Sequence, residues 1–198
     1  MTTSRHLAIL IFPDVEVLDF CGPYEVFSVA NHFVTTPPFT VFTIAEHAGP
    51  VITHNGLSVN PHYQLTDCPK PDILLVPGGR GTRAQLNNSG LIEWIKEIAA
   101  KAELVFSVCT GSLLLAKAGL LNGLETTTHH GSLDLLRELA PNATVHSDRR
   151  YIDNGRVICS AGISAGIDMS LHVVARLHGA DVAAKAAQQM EYNWAAAD

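Results

Sequence analysis

Four cysteines are all that this chain of 198 residues carries, and no two of them are near each other. Cys21, Cys68, Cys109 and Cys159 form no C-x-x-C pair, which argues against a disulfide framework and against a zinc ribbon. Basic runs are missing too. Thirteen Lys and Arg stand against nineteen Asp and Glu, a net charge of −6 with His neutral, so nucleic acid is not expected as a direct partner. No apolar stretch reaches the roughly 18 residues that a membrane span needs, so no membrane partner is expected. The ten histidines show no metal-ligand spacing of the H-x-x-x-H kind, and neither a metal nor any other cofactor is expected.

What is present reads as one α/β domain over 1–198, long enough to bury about 70% of its unfolded surface without staples. Hydrophobic residues make up 47% and charged residues 16%, a globular balance. No repeat, low-complexity tract or linker interrupts it. The opening residues lead straight into an apolar strand rather than a signal-peptide pattern, so a reducing cytoplasm is the expected setting.

Continuous apolar runs at His6–Phe12, Phe39–Ala45, Ile73–Pro77 and Leu104–Val108 predict strands buried on both faces, the mark of a parallel sheet covered by helices. Gly22-Pro23 predicts the start of a helix from Tyr24 to about Phe33. Asn55-Gly56, between short β-like stretches, predicts a hairpin, and Asp153-Asn154-Gly155 a second one. Helices are expected over Ser89–Ala102, Ser132–Leu139 and from about Ile163 to His178, with Asp181 capping a last helix to about Tyr192. A further short strand is expected at Glu125–His129. The sum is a flavodoxin-like doubly wound sandwich, a mostly parallel sheet flanked by helices with an added β-hairpin.

The chemistry centres on Leu104-Val105-Phe106-Ser107-Val108-Cys109-Thr110-Gly111-Ser112. Cys109 falls at a strand-to-helix joint, the geometry of a nucleophile elbow with Cys in place of Ser. A helix N-terminus carries partial positive charge and free N–H groups, so a thiol there is expected to lean toward thiolate. The alternative is a buried structural Cys, the commoner fate of a free thiol. Ligands of such sheets bind beyond the carboxyl ends of the strands, so Asp19, Gly78-Gly79 and Cys109 are expected on one rim.

Gly78 and Gly79, with the Thr110 N–H, are candidate oxyanion or substrate-binding donors, although glycine turns after strands are mostly just turns. Asp19 is either a helix cap or solvated carboxylate or, if it faces Cys109, a general acid that shares one proton with the thiol. Glu16 competes with it from what reads as the same loop. His129 and His130 end the expected strand at Glu125–His129. Neighbours on a strand point to opposite faces, so at most one reaches the site, and His129 is the better candidate for a substrate-orienting role.

With these stretches in view the chain resembles the ThiJ/PfpI superfamily, the class I glutamine amidotransferase-like fold. The resemblance rests on Phe12-Pro13 to Leu18-Asp19-Phe20-Cys21-Gly22-Pro23, Val76-Pro77-Gly78-Gly79-Arg80-Gly81, Ser107-Val108-Cys109-Thr110-Gly111, Thr127-Thr128-His129 and Ala161-Gly162-Ile163-Ser164-Ala165-Gly166-Ile167-Asp168. Leu-Asp-x-x-Gly-Pro and Val-Cys-Thr-Gly look most like the isocyanide hydratases. They look equally like the amidotransferase-like domain joined to AraC-type regulators, which carry a helix-turn-helix beyond it.

The resemblance implies Cys109 as elbow nucleophile, Asp19 as its carboxylate partner, Gly79 and Thr110 as N–H donors, and a homodimer with the site near the interface. The implied reaction is cofactor-independent addition of water to a small-molecule isocyanide, giving an N-substituted formamide through a thioimidate. A mostly apolar pocket is expected for it. Hydratase-like relatives often read Thr-His-Trp where this chain has Thr128-His129-His130. A silent small-molecule or redox sensor, and a glyoxalase-type hydratase of methylglyoxal with His129 as base, are the alternatives.

Overall fold

The computed structural model describes residues 4–194. Met1 to Thr3 and residues 195–198 lie outside the described residues, and with them both ends of the expected 1–198 domain. β1 (Arg5–Leu10) is the strand from which the sheet is laid in both directions. Its inner residues Leu7, Ala8, Ile9 and Leu10 are fully buried, as an uninterrupted apolar run requires. The chain leaves it through α1 (Val17–Ala30) and returns in β2 (Phe39–Ala45), parallel to β1.

The Asn55-Gly56 turn joins β3 (Val51–Ile52) to β4 (Ser58–Val59), a hairpin outside the main sheet, and β5 (Tyr63–Gln64) extends the sheet beyond β2. β6 (Ile73–Val76) pairs with the other side of β1. After α2 (Thr82–Gln85) and α3 (Ser89–Lys101) comes β7 (Leu104–Ser107), then α4 (Gly111–Lys117). β8 (Glu125–Thr126), α5 (Leu133–Leu139) and β9 (Thr144–Val145) follow, then β10 (Tyr151–Asp153) and β11 (Val157–Ser160), and last α6 (Ala165–His178) and α7 (Ala180–Gln189).

The order across the main sheet is β10-β11-β7-β6-β1-β2-β5, parallel except for the β10–β11 pair. Read from the β2 side and numbered among themselves in chain order, its middle five strands run second, first, third, fourth, fifth, which is the flavodoxin-like winding expected from the sequence. α1, α6 and α7 pack together on one face, and α2 to α5 on the other. Connections from β1 and β6 therefore leave toward opposite faces, and a crevice opens between them above the carboxyl ends of the strands. Phe27 of α1 joins the layers. Its ring meets Phe39 edge-on at 4.9 Å and lies parallel to Phe106 at 6.3 Å.

Three expectations are corrected. α1 begins at Val17, not at Tyr24, and Pro23 lies inside it. Backbone ties to the glycine turn start the helix early, since Glu16 N–H donates to the Gly78 carbonyl at 3.0 Å and Val15 bridges to Gly79. Pro23, lacking an N–H, only withholds the bond that the Asp19 carbonyl would have accepted. Second, β8 stops at Thr126 and pairs with β9 outside the main sheet, so His129 and His130 are not strand residues. His130 opens a short 3₁₀ turn with His129 at its cap. Third, Asp181 sits in the first turn of α7, and Gly179 takes the cap position.

Candidate active site

The elbow is built from constraints that a sequence can express only with particular residues. Val108 N–H donates to the Val76 carbonyl and Cys109 N–H to the Ala161 carbonyl, each at 3.1 Å, so both neighbouring strand ends hold the turn. The Cys109 carbonyl accepts from Thr128 Oγ1 at 2.9 Å and from Ser112 Oγ at 3.2 Å. Held this way, Cys109 adopts φ 55, a left-handed conformation that costs a residue with a Cβ about 1–2 kcal/mol. Gly111 completes the bend, because a Cβ there would meet the Val76 carbonyl oxygen at 2.0 Å. Cys109 is 5% exposed and lines a pocket, so the thiol is inside the molecule yet open to a ligand.

Asp19, in the first turn of α1, is 0% exposed and belongs to the face opposite α4. Its Oδ2 accepts the Gly78 N–H at 3.0 Å across the crevice, and its Oδ1 is buried without a hydrogen-bond partner. Burial raises its pKa to about 7, against the Gly78 N–H, which lowers it, while the charge of Glu16 raises it further. The Cys109 thiol and this carboxyl act on each other's charge. Burial first, and the Asp19 charge second, push the thiol up to about 12, while the N–H groups of Ile163 and Thr110 favour the thiolate.

Burial opposes the charged form of both groups, against the lean toward thiolate expected at a helix N-terminus, so the pair holds one proton between them. Like charges this close in a buried site cannot both persist. The alternatives for Asp19, a cap or a solvated carboxylate, do not describe a buried group at this place. Glu16 is half-buried at the cap of α1, lines the pocket and acts on Asp19 through its charge.

The glycine pair takes a different role from the one expected. Gly78 N–H is spent on Asp19, and Gly79 N–H donates to Thr110 Oγ1 at 3.0 Å. Thr110 Oγ1 in turn shares a hydrogen bond with Thr82 Oγ1 at 3.0 Å and donates to the Gly79 carbonyl at 3.2 Å. The pair braces the carboxylate and the elbow instead of presenting free donors. The Thr110 N–H, expected as a substrate or oxyanion donor, is directed at sulfur instead, as is the Ile163 N–H, which sequence reading did not single out. Ile163 is also left-handed, with φ 51. Only the Gly-Ile-Ser-Ala-Gly stretch that leads into α6 signals that turn.

His129 reaches the pocket from its 3₁₀ cap, and His130 stacks beside it with ring centroids 4.2 Å apart. Nδ1 of His129 accepts the Gly131 N–H at 3.1 Å, so Nε2 carries the hydrogen. Burial, then His130 and Arg83, lower its pKa, and the ring is a neutral donor at neutral pH. The pocket, about 450 Å³, is lined by these residues together with His54, Arg80, Arg83 and Ser132. Most of these side chains are polar, yet apolar surface makes up the larger part of the wall, in keeping with the pocket expected for an isocyanide. Among the described residues no group of three or more His, Cys, Asp or Glu is placed to hold a metal ion. No helix there is long and apolar enough to cross a membrane.

Residues 5–176 match the model of the DJ-1/PfpI family. The chain belongs to that family. Within it, the chain is 36% identical over 189 residues to the isonitrile hydratase of Pseudomonas putida, covering 96% of this chain and 79% of the relative. It is 31% identical over 186 residues to the HTH-type transcriptional regulator CdhR of Pseudomonas aeruginosa, covering 94% of this chain but only 54% of the regulator, so it spans about half of that protein. Among solved DJ-1/PfpI structures, a ThiJ/PfpI family protein from Pseudomonas syringae superposes with a TM-score of 0.87 at 28% identity, covering 100% of this chain and 78% of the other.

Proposed function

We propose that the protein is a cofactor-independent hydratase that adds water to an isocyanide and releases an N-substituted formamide. The observation that carries this reading is the buried Cys109 on its strained elbow, lining an open pocket, with the buried carboxyl of Asp19 acting on its charge. The likeness to an isonitrile hydratase along most of both chains supports it.

In the proposed reaction ionised Asp19 takes the thiol proton as the Cys109 sulfur attacks the terminal carbon of R–N≡C. Asp19 then returns the proton to that carbon, leaving the thioimidate R–N=CH–S–Cys109. Water attacks the same carbon while Asp19 draws off one of its protons and passes it to nitrogen. Collapse of the R–NH–CH(OH)–S adduct forms the carbonyl, breaks the C–S bond and returns the hydroxyl proton to sulfur through Asp19. The sum is R–NC plus water giving R–NH–CHO, with no net oxidation or reduction. The Ile163 and Thr110 N–H groups stabilise sulfur whenever it carries charge.

A glyoxalase-type reaction with His129 as base is disfavoured, because the lone pair on Nδ1 is occupied by the Gly131 N–H. A ligand-sensing role is favoured by the likeness to CdhR and predicts binding without turnover. Incubation with cyclohexyl isocyanide, with formamide followed by chromatography, separates the readings. Turnover by the unaltered protein and none by Cys109→Ala supports the hydratase, and equal traces from both exclude it.

The working unit is proposed to be a homodimer. Leu18 on α1 and Ile52 and Leu57 on the hairpin are exposed apolar side chains, and Asp14 and His54 hydrogen bonds tie the hairpin to the segment that leads into α1.

A further inference from the structure

Three charged side chains line the Cys109 pocket, Glu16, Arg80 and Arg83. Glu16, its one carboxylate apart from the buried Asp19, lies on the α1 side and adds to the negative charge felt by Asp19. Arg80 and Arg83 line the same pocket from the loop and helix that follow the glycine pair. They are three residues apart on the turn into α2, so they lie on one side of it.

Arg5, Arg137, Arg150 and Arg176 each meet a carboxylate. The other half of the chain's eight arginines, Arg80, Arg83, Arg149 and Arg156, meet none among the described residues, and of these only Arg80 and Arg83 line the pocket. Arg83 instead donates to the hydroxyl of the buried Ser132 at 2.8 Å, which fixes the guanidinium and leaves its other N–H groups uncommitted. The backbone carrying Arg80 is fixed as well. Gly81 N–H donates to the Asp14 carbonyl at 3.1 Å, and a Cβ at Gly81 would stand 1.9 Å from the Pro13 carbonyl oxygen. His129 brings a neutral Nε2–H to the same cavity, under the influence of Arg83.

We propose that the pocket takes a substrate bearing a carboxylate at the end remote from its reacting carbon, held by Arg80 and Arg83 with the His129 Nε2–H. A planar guanidinium matches the two oxygens of a carboxylate, and charge-assisted bonds of this kind are the stronger ones. With its anion held by the arginines, the substrate enters in one orientation, its neutral reacting end toward Cys109 and Asp19. The proposal names the substrate class for the hydratase reading and rests on Cys109 as the nucleophile, and its test is independent of turnover.

The test alkylates the full chain with iodoacetate or with iodoacetamide, and reads modification of the Cys109 peptide by mass spectrometry. In both reactions sulfur bonds to the CH₂ carbon, iodide leaves with the C–I electrons and the thiol proton passes to solvent. The reagents differ in carrying a carboxylate or a neutral amide. The iodoacetate-to-iodoacetamide rate ratio at Cys109 is expected to be roughly tenfold higher in the unaltered protein than in the Arg80→Gln, Arg83→Gln double variant. It falls as salt is raised to about 0.5 M, whereas the ratio at Cys21 is the same in both proteins. Arg83→Lys, which keeps the charge, retains most of the preference and guards against a folding defect in the double variant. An equal ratio at Cys109 in both proteins overturns the proposal.

A second arm compares 4-isocyanobenzoate with its methyl ester. Preference for the acid by about tenfold is expected. Equal conversion of both overturns the carboxylate site and leaves the hydratase reading standing. Conversion of neither, with the alkylation preference intact, overturns the hydratase reading alone.

Discussion

The Gly78 N–H donates to Asp19 Oδ2 at 3.0 Å, joining residues 59 apart in sequence. One comes from the turn after β6 and the other from the first turn of α1, on opposite faces of the sheet. The bond closes the crevice where the winding reverses and aims a buried carboxyl at the elbow thiol. A replacement at Asp19 therefore acts on chemistry and on stability together.

The carboxyl is harder to ionise in the folded chain than in the unfolded one, with a pKa of about 7 against an ordinary value of 3.8. Its contribution to stability is therefore full below the ordinary value and is lost as pH rises through about 7. Asp19→Asn cannot titrate. Between pH 4 and pH 8 the stability of the unaltered protein relative to this variant is expected to fall by on the order of 4 kcal/mol, read from urea unfolding at each pH.

The same titration governs the proposed turnover. Only ionised Asp19 can take the thiol proton, so kcat/KM for a neutral isocyanide should rise about tenfold per pH unit below 7 and level off above it. Asp19→Asn is expected to lower kcat by about 10²–10⁴-fold and to remove that pH dependence. A flat profile for the unaltered protein would count against Asp19 as the proton carrier.

Backbone strain at the elbow gives a stability test that needs no substrate. At φ 55 a Cβ is costly, so Cys109→Gly should be more stable than Cys109→Ala by about 1–2 kcal/mol, the reverse of the usual order of Gly and Ala. Gly111→Ala should go the other way. Its Cβ would be forced against the Val76 carbonyl, and a loss of about 1–3 kcal/mol or more is expected in thermal unfolding.

Two copies are expected to associate through the hairpin and α1. Light scattering should give twice the chain mass of 21.3 kDa, and Ile52→Lys with Leu57→Lys should return it to a single chain. Retention of the doubled mass in that variant would move the pairing face elsewhere.

Much of this architecture is written in local pattern. β1, β2, β6 and β7 announce themselves because a strand covered on both faces has to be apolar throughout, and Cys109 because a strand run turns into a helical one there. Pro23 misled because a proline is tolerated inside a helix whose start is fixed from elsewhere, here by the glycine turn. Strand alternation admits only one of His129 and His130 to the site, and the structure reaches the same result by another route, since a cap position brings His129 to the pocket. The glycine pair was read as donors, and only the fold shows that Asp19 and Thr110 occupy them. Ile163 carries no chemical label at all. Its contribution is a backbone N–H, which every residue but proline possesses, and its place is decided by tertiary contact.

The margins of the main sheet carry a last consequence. One margin ends in β5, which is two residues long. At the other, beside β10, Asn154 bonds both backbone groups of Glu125, its side-chain oxygen accepting the N–H at 3.1 Å and its amide donating to the carbonyl at 2.9 Å. Neither margin offers a long row of open peptide groups to a neighbour, so growth by stitching ladders end to end is closed off. Crowding the protein should accordingly yield discrete closed particles and no fibrous deposit, whatever face the copies use to meet.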